Sequence, residues 1–261
     1  MNRLAELDIA RHRAENPSAL TLSGTNTWVL GRQPAFVIDP GPALAEHLAA
    51  VAEDVAGRGG LGGVAITHSH VDHVEGLAGL LERCGPAPTA GAGSGWDTQL
   101  TDGGRFGPLV ARSTPGHADD HLAYLSAGAC FTGDAVLGEG SVFVAPEPGA
   151  LAGYLDALRG LRELDLQVLC PGHGPPIADP RAKLDEYLAH REDRERRLLG
   201  ALDRGLRDPD ELLDVVWDDA PAELRPPAAL TLTAHLHKLA EEGRLPADVV
   251  WPALPGDLRP G

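Results

Sequence analysis

Three cysteines in 261 residues, Cys84, Cys130 and Cys170, are too few for a disulfide scaffold and lie in or beside apolar runs. The chain therefore reads as a reduced, cytoplasmic protein. No apolar stretch has the length of a membrane span, and Met1 to Asp8 alternate charged with apolar types, so neither a signal peptide nor a membrane partner is expected. Basic residues are scarce: 22 Lys and Arg stand against 38 Asp and Glu, a formal net charge of -16. Such a balance repels polyanions at long range and lowers the expectation of a nucleic-acid partner. Aromatics make up only 4% of the chain, which leaves no basic-aromatic surface of the kind that stacks single-stranded bases. The length suits one large α/β domain, with or without a small appendage.

Short apolar runs closed by Gly or Pro mark the strands: Asn26 to Leu30, Ala35 to Ile38, Gly63 to Ile66, Leu109 to Ser113, Leu122 to Leu125, Ala129 to Thr132 and Leu166 to Cys170. Apolar residues at helical spacing mark helices over Pro42 to Val55 and Val74 to Cys84. The stretch from Pro86 to Gly107 is rich in Gly and small residues. Its Gly91 to Gly95 segment lacks the Lys-Ser/Thr of a phosphate loop, so it is expected to be loop or turn. After Pro180 the texture changes to a charged amphipathic helix reaching Arg204, then helices over Asp208 to Trp217 and Pro227 to Glu242, then an extended piece from Ala247 to Trp251. This order suggests a catalytic domain over residues 1–179 and a small winged-helix-like domain over 180–261. From His190 to Gly261 there are 10 Lys and Arg against 15 Asp and Glu, whereas a DNA-reading module is normally basic. The appendage is expected to be a structural, dimerising or substrate-lid element, which leaves room for a homodimer.

The chemistry concentrates at strand ends. In His68-Ser69-His70-Val71-Asp72-His73, two imidazoles two residues apart point the same way in an extended segment and can share one metal ion. Asp72 and His73 follow where the chain turns into a helix and can address a second ion. His117, Asp134 and His173, each beside a glycine, complete two coordination spheres. Imidazole mixed with carboxylate suits zinc, less often iron or manganese.

The ordered set His-x-His-x-Asp-His, then His, Asp and His, resembles the metallo-β-lactamase-fold hydrolase superfamily from about Asn16 to Gly174. A closer resemblance, to the lactamase-β-like protein 2 family, is carried by Asn16-Pro-Ser18, Leu22-Ser-Gly-Thr-Asn-Thr-Trp28, Ile38-Asp-Pro-Gly41, Thr114-Pro-Gly-His117, Gly133-Asp-Ala-Val-Leu-Gly138 and the His190-Arg191 helix. The resemblance implies a four-layered αββα sandwich with an appended helical domain. It implies two divalent ions, zinc first among them, with His68, His70 and His117 on one, Asp72, His73 and His173 on the other, and Asp134 bridging. True β-lactamases lack such a bridging aspartate, so antibiotic hydrolysis is not expected.

The expected reaction is hydrolysis by a metal-bridging hydroxide, with Asp72 and Asp134 as the catalytic carboxylates. Small esters or thioesters are the substrates that the acidic balance favours. The resemblance implies single-stranded RNA cleavage as the alternative, and a regulatory or partner-binding module with secondary catalysis is a third reading. Substrate choice is expected to lie with the stretch after Gly85 and with the C-terminal domain. Asp39 and His121 are read as partners behind the ligands, Asn26 as turn chemistry, and Cys170 as a small buried hydrophobe. His12, His47, His190, His235 and His237 are read as surface or core residues, and the run Arg191 to Arg197 as a solvated helix face.

Overall fold

The computed structural model of the chain describes residues 3–253; Met1, Asn2 and the last eight residues of the 180–261 unit lie outside the described residues. The elements run α1 (Arg3–Glu6), β1 (Ile9–Arg13), β2 (Asn26–Leu30), β3 (Ala35–Ile38), α2 (Ala45–Gly57), β4 (Leu61–Ala65), α3 (Val71–Val74) and α4 (Leu77–Cys84). They continue with β5 (Thr89–Gly91), β6 (Thr98–Gln99), β7 (Arg105–Phe106), β8 (Leu109–Ser113), β9 (Leu122–Ser126), β10 (Ala129–Gly133), α5 (Ala150–Arg162) and β11 (Val168–Pro171). The C-terminal part holds α6 (Pro180–Asp203), α7 (Pro209–Val216), a 3-10 turn (Ala222–Leu224) and α8 (Arg225–Glu241).

β1 to β6 form one sheet in sequence order, and β11-β10-β9-β8-β7 form the second. Strand alternation assigns each face. Trp28, Leu30 and Ile38 turn inward to meet Leu109, Tyr124, Phe131 and Cys170 of the second sheet, forming the core between the sheets. Val29, Val37 and Val64 turn outward and are covered by Leu48, Val51 and Val55 of α2 and Leu80 of α4. On the other side, Cys130 and Leu169 are covered by Leu151, Tyr154, Leu155 and Leu158 of α5 and by Leu184 and Tyr187 of α6. The result is the four-layered αββα sandwich. Among the described residues no helix is long and apolar enough to cross a membrane.

Several elements differ from expectation. Helix α5 lies in a stretch with no assigned element, although Leu151, Tyr154, Leu155, Leu158 and Leu161 repeat at helical spacing and are all buried. The stretch 86–107 is not loop alone: β5, β6 and β7 extend the sheet edges within it, because pairing with β4 and β8 satisfies backbone groups that glycine-rich sequence does not order by itself. The segment expected as one helix from Val74 divides at Gly76 into α3 and α4. A Cβ at Gly76 would lie 2.8 Å from the Gly41 carbonyl that its own N–H reaches. Ala247 to Trp251 makes no strand, having no partner to pair with; Val249 instead packs on the C-terminal core and the Val250 N–H reaches the Arg207 carbonyl.

Residues 198–249 build a core of their own from α6, α7 and α8, with Leu198, Leu202, Leu212, Val216, Leu232 and Leu236 among its buried members. Asp179 caps α6 by accepting the Ala182 N–H, and Asp208 caps α7 by accepting those of Asp210 and Glu211.

Candidate metal centre

The two sheets are tied together at the C-terminal ends of β3 and β4, the position where parallel strands open onto ligand-binding crevices. The Leu122 N–H donates to the Thr67 carbonyl at 2.7 Å, and the Tyr124 hydroxyl to the Ile66 carbonyl at 2.7 Å. His68, His70, Asp72 and His73 leave this end of β4, His117 and His121 lie between β8 and β9, and Asp134 and His173 follow β10 and β11.

The structure brings all seven expected ligands to one place, in two groups. Ligand atoms of His68, His70, His117 and Asp134 lie within 4.8 Å of one another, as do those of Asp72, His73 and His173. His117 Nε2 is 3.0 Å from His70 Nδ1, and His73 Nε2 is 3.4 Å from His173 Nε2. Asp134 touches both groups: Oδ1 is 3.5 Å from His73 Nε2, while Oδ2 is 3.6 Å from His117 Nε2 and 3.2 Å from His173 Nε2. Donor atoms around a tetrahedral zinc with bonds of about 2.0–2.2 Å stand roughly 3.3–3.6 Å apart, so these spacings fit a divalent ion. So do the unmet groups, because His68 Nε2 and Asp134 Oδ1 are buried without a hydrogen-bond partner.

Ring orientation is set from behind. Asp39 adopts the left-handed conformation (φ 52°), and its carboxylate accepts the Thr67 N–H at 2.8 Å, the Thr67 hydroxyl at 2.7 Å and His73 Nδ1–H at 2.9 Å. Nε2 of His73 is thereby turned into the cluster, the carboxylate-imidazole arrangement usual behind metal ligands. Thr67 Oγ1 lies 3.0 Å from His68 Nδ1 and leaves Nε2 facing the site. His121 touches neither group as a ligand. Its Nε2 accepts the Asp134 N–H at 3.0 Å and its Nδ1 lies 2.7 Å from Thr114 Oγ1, so it holds the Asp134 turn.

Burial and charge divide the imidazoles. Burial pushes His117 down to about 4 and His121 to about 3, and lowers His68 and His70, so these rings are neutral. For His73, burial also acts downward, yet the carboxylates of Asp134 and Asp39 outweigh it and hold the ring well above its ordinary value. Asp134 shows the mirror image: burial would raise its carboxyl, but His173 and His73 hold it well below the usual range.

Further residues behind the ligands hold this shell in place. Asn26 is not a turn residue: buried on β2, it donates through Nδ2 to the Pro171 and Gly174 carbonyls at 2.9 and 2.8 Å and holds the loop that carries His173. Thr25 donates to Asp72 Oδ2 at 2.8 Å and itself takes a hydrogen bond from Asn16 at 2.9 Å. Asp120 accepts the Ser69 N–H at 3.0 Å, fixing the loop between His68 and His70. Gly172 has no room for a side chain, since a Cβ would stand 2.4 Å from Asp134 Oδ1. In the sequence, the Asn16 and Gly24 to Thr27 motifs, the acidic pair Asp119-Asp120 read as loop-fixing after His117, and the glycines beside the ligands carried the signal for this shell.

The centre opens into a cavity of about 650 Å³. Its walls are Ser18 to Leu22, Leu137, Glu139 to Phe143 and a C-terminal contribution including Trp217, Leu224, Pro227 and Ala228. No residue of 86–107 lines it, contrary to the expectation that this stretch governs substrate choice. The Arg191 to Arg197 face is likewise not solvated throughout. Arg191 and Arg194 fall on the buried stripe Leu184, Tyr187, Arg191, Arg194, Leu198, Leu202 and are 2% and 5% exposed. Of the remaining histidines, His47 lies 2.9 Å from Thr27 Oγ1 behind β2, and His235 is wholly buried beside Trp217. Cys130 and Cys170 are buried free thiols whose pKa burial raises, to about 12 for Cys130.

A paired imidazole-carboxylate centre at the open edge of an αββα sandwich is a site able to hold divalent metal ions. The chain belongs to the metallo-beta-lactamase superfamily, whose model matches residues 20–94 and 97–173, and it carries a beta-lactamase associated winged helix domain over residues 209–247. Within the superfamily it stands near beta-lactamase-like protein 2. The Drosophila melanogaster homolog of that protein is 30% identical over 88% of this chain and 87% of its own length. The lactamase-like protein nscB of Trichophyton rubrum is 33% identical over 93% of this chain and 74% of its own. The crystal structure of a metallo-beta-lactamase family protein from Thermus thermophilus superposes with a TM-score of 0.72 at 23% identity, covering 90% of this chain and 94% of that one. The chain is thus a metallo-beta-lactamase-fold hydrolase.

Proposed function

We propose that the protein is a binuclear metal hydrolase, with zinc in both positions, acting on small esters or thioesters. The observation that carries this reading is the placement of Asp134, whose two oxygens reach into both ligand groups. In this assignment His68, His70 and His117 would hold one ion, Asp72, His73 and His173 would hold the other, and Asp134 would be shared. When bound, such a pair would lower the pKa of a bound water towards roughly 7 and polarise the scissile carbonyl. The protein's own part is positioning. Asp72, held by Thr25, orients the attacking water; Asp39 fixes the His73 ring; His121 fixes the Asp134 backbone.

The cavity supports a small substrate. The charged groups at its rim are the exposed carboxylates Glu139, Glu186 and Asp219. The cations on its wall, Arg191 and Arg194, are almost wholly buried, and His190 is pushed down to about 4 by burial and by those arginines. A nucleic-acid strand is gripped by a track of exposed cations, which this wall does not offer.

Metal should be quantified after purification in zinc, and wild type and Asp134→Ala assayed on acyl thioesters, lactones and RNA oligonucleotides. The expected result is about two ions per chain and thioester or ester turnover that Asp134→Ala abolishes. Fewer than about one ion per chain with no metal-dependent turnover would overturn the reading, and RNA cleavage lost in Asp134→Ala would replace it with a single-stranded endoribonuclease.

A further inference from the structure

Arg191 is a buried cation without an anion. It sits on the core-facing stripe of α6, is 2% exposed, and lies on the wall of the cavity. Its hydrogen bonds run through Nη2 to two neutral groups, Ser141 Oγ at 2.8 Å and the Val142 carbonyl. Its Nε has no partner, and among the described residues no carboxylate lies within 4 Å of it. An aromatic ring and two imidazoles also stand near it. The guanidinium carbon stands 5.5 Å over the Tyr154 ring, and its field adds to burial in keeping His190 and His235 neutral.

Arg194, one turn along, makes a useful contrast, because it meets both oxygens of Asp219 at 2.7 and 2.8 Å. A guanidinium cannot lose its charge by releasing a proton, so a buried one is retained at a cost unless an anion answers it. The stem is not there for packing alone, since a leucine would serve the stripe as well. Val142 and Phe143 connect Arg191 to the ligand shell: the Phe143 ring packs 4.5 Å from that of His117, and the Phe143 carbonyl lies 3.4 Å from His117 Nδ1.

We propose that Arg191 is the receptor for a single anionic group, a carboxylate or its equivalent, on the substrate that occupies the cavity. This rests on the hydrolase reading above and narrows it to esters or thioesters bearing one negative charge away from the scissile carbonyl. A planar guanidinium suits a carboxylate because its N–H groups can meet both oxygens. The apolar wall of Leu137, Phe143 and Trp217 accommodates the carbon chain between the two ends. The exposed rim carboxylates favour one charge that can be matched inside over a polyanion that cannot.

Two measurements on the zinc-loaded protein test this separately from the hydrolase reading. In the first, butyryl and succinyl thioesters of N-acetylcysteamine are compared, equal in chain length but differing in charge. Wild type is expected to prefer the succinyl thioester by at least tenfold in kcat/KM, and Arg191→Gln to reduce that ratio at least tenfold. In the second, thermal stabilisation is read against butanesulfonate, a monoanion, with uncharged 1-butanol as control. Wild type should be stabilised by the sulfonate and not by the alcohol, Arg191→Gln should lose the effect, and Arg191→Lys should retain it with affinity within about tenfold. Equal turnover of the two thioesters by wild type, or no selective stabilisation by the sulfonate, overturns the proposal even if Arg191→Gln does not fold. Absence of all thioester turnover alongside Arg191-dependent sulfonate binding would overturn the hydrolase reading and leave the anion site standing.

Discussion

The sandwich and the C-terminal helices both bury polar side chains, and they use them in opposite ways. In the sandwich, buried histidines and aspartates converge from four strand ends, and some of their best atoms, such as His68 Nε2 and Asp134 Oδ1, are left without a protein partner. In the helical part, two arginines close on carbonyls and carboxylates, although Arg194 Nε and both ring nitrogens of His235 are buried without a partner. Arg194 takes the Val216 carbonyl and Asp219, and Arg197 takes the Val215 carbonyl and Asp218, so that two arginines bind the C-terminal end of α7. Cations at that end also complement the helix dipole. Unmet atoms that gather at a cavity, as at the strand ends, mark a place prepared for something else, whereas those of His235 lie outside the cavity wall and the Arg194 and Arg197 contacts mark a joint. Arg191 belongs to the helical part by position and to the first kind by chemistry.

Removing a shared ligand should break this contrast most severely. Asp134→Ala is expected to lower kcat/KM by roughly 10³-fold or more and to reduce bound metal, with the far-UV circular dichroism spectrum unchanged. A folded variant retaining full metal content would show that Asp134 is a joint and not a ligand. Asp39→Asn acts one step back. Losing the charge behind His73 should weaken metal binding by roughly 10- to 100-fold, measured by competition with a chromophoric chelator. No change in affinity would mean that Asp39 serves only the Thr67 turn.

In the helical part, Arg194→Met should cost about 1–3 kcal/mol in urea denaturation, since the Val216 carbonyl loses its partner while exposed Asp219 rehydrates. Metal content should stay the same, and a parallel loss of metal would join the two regions energetically. The smallest expected effect is that of Asp208→Ala, about 1 kcal/mol from loss of the α7 cap, read in the same denaturation experiment. A variant of unchanged stability would show that packing alone holds α7.

The strands and the residue types at their ends were legible because both signals are local. Apolar runs closed by Gly or Pro recur along the chain, and His, Asp and Gly follow several of them. Helix α5 was equally legible in principle, with Leu151, Tyr154, Leu155, Leu158 and Leu161 one face apart, yet the long Gly- and Pro-rich stretch before it draws attention to turns. The three short strands of 89–106 were not, since each depends on a neighbour that supplies its hydrogen bonds. The burial of Arg191 and Arg194 ran against residue type. Only the spacing from Leu184 through Leu202 hinted that two charged residues occupy core positions.

By itself, the sequence determined the ordered set of imidazole and carboxylate side chains, a donor set whose chemistry suits borderline divalent metals, because donor chemistry belongs to the residue. Tertiary structure decided which of these side chains meet, that Asp134 spans two groups, that Asp39 stands behind His73, and that Trp217 and Arg191 wall the same cavity as His117. Those relations are distances of a few Å between residues far apart in the chain. They are set by sheet pairing and by which groups burial leaves unsatisfied, and neither is written in any single segment.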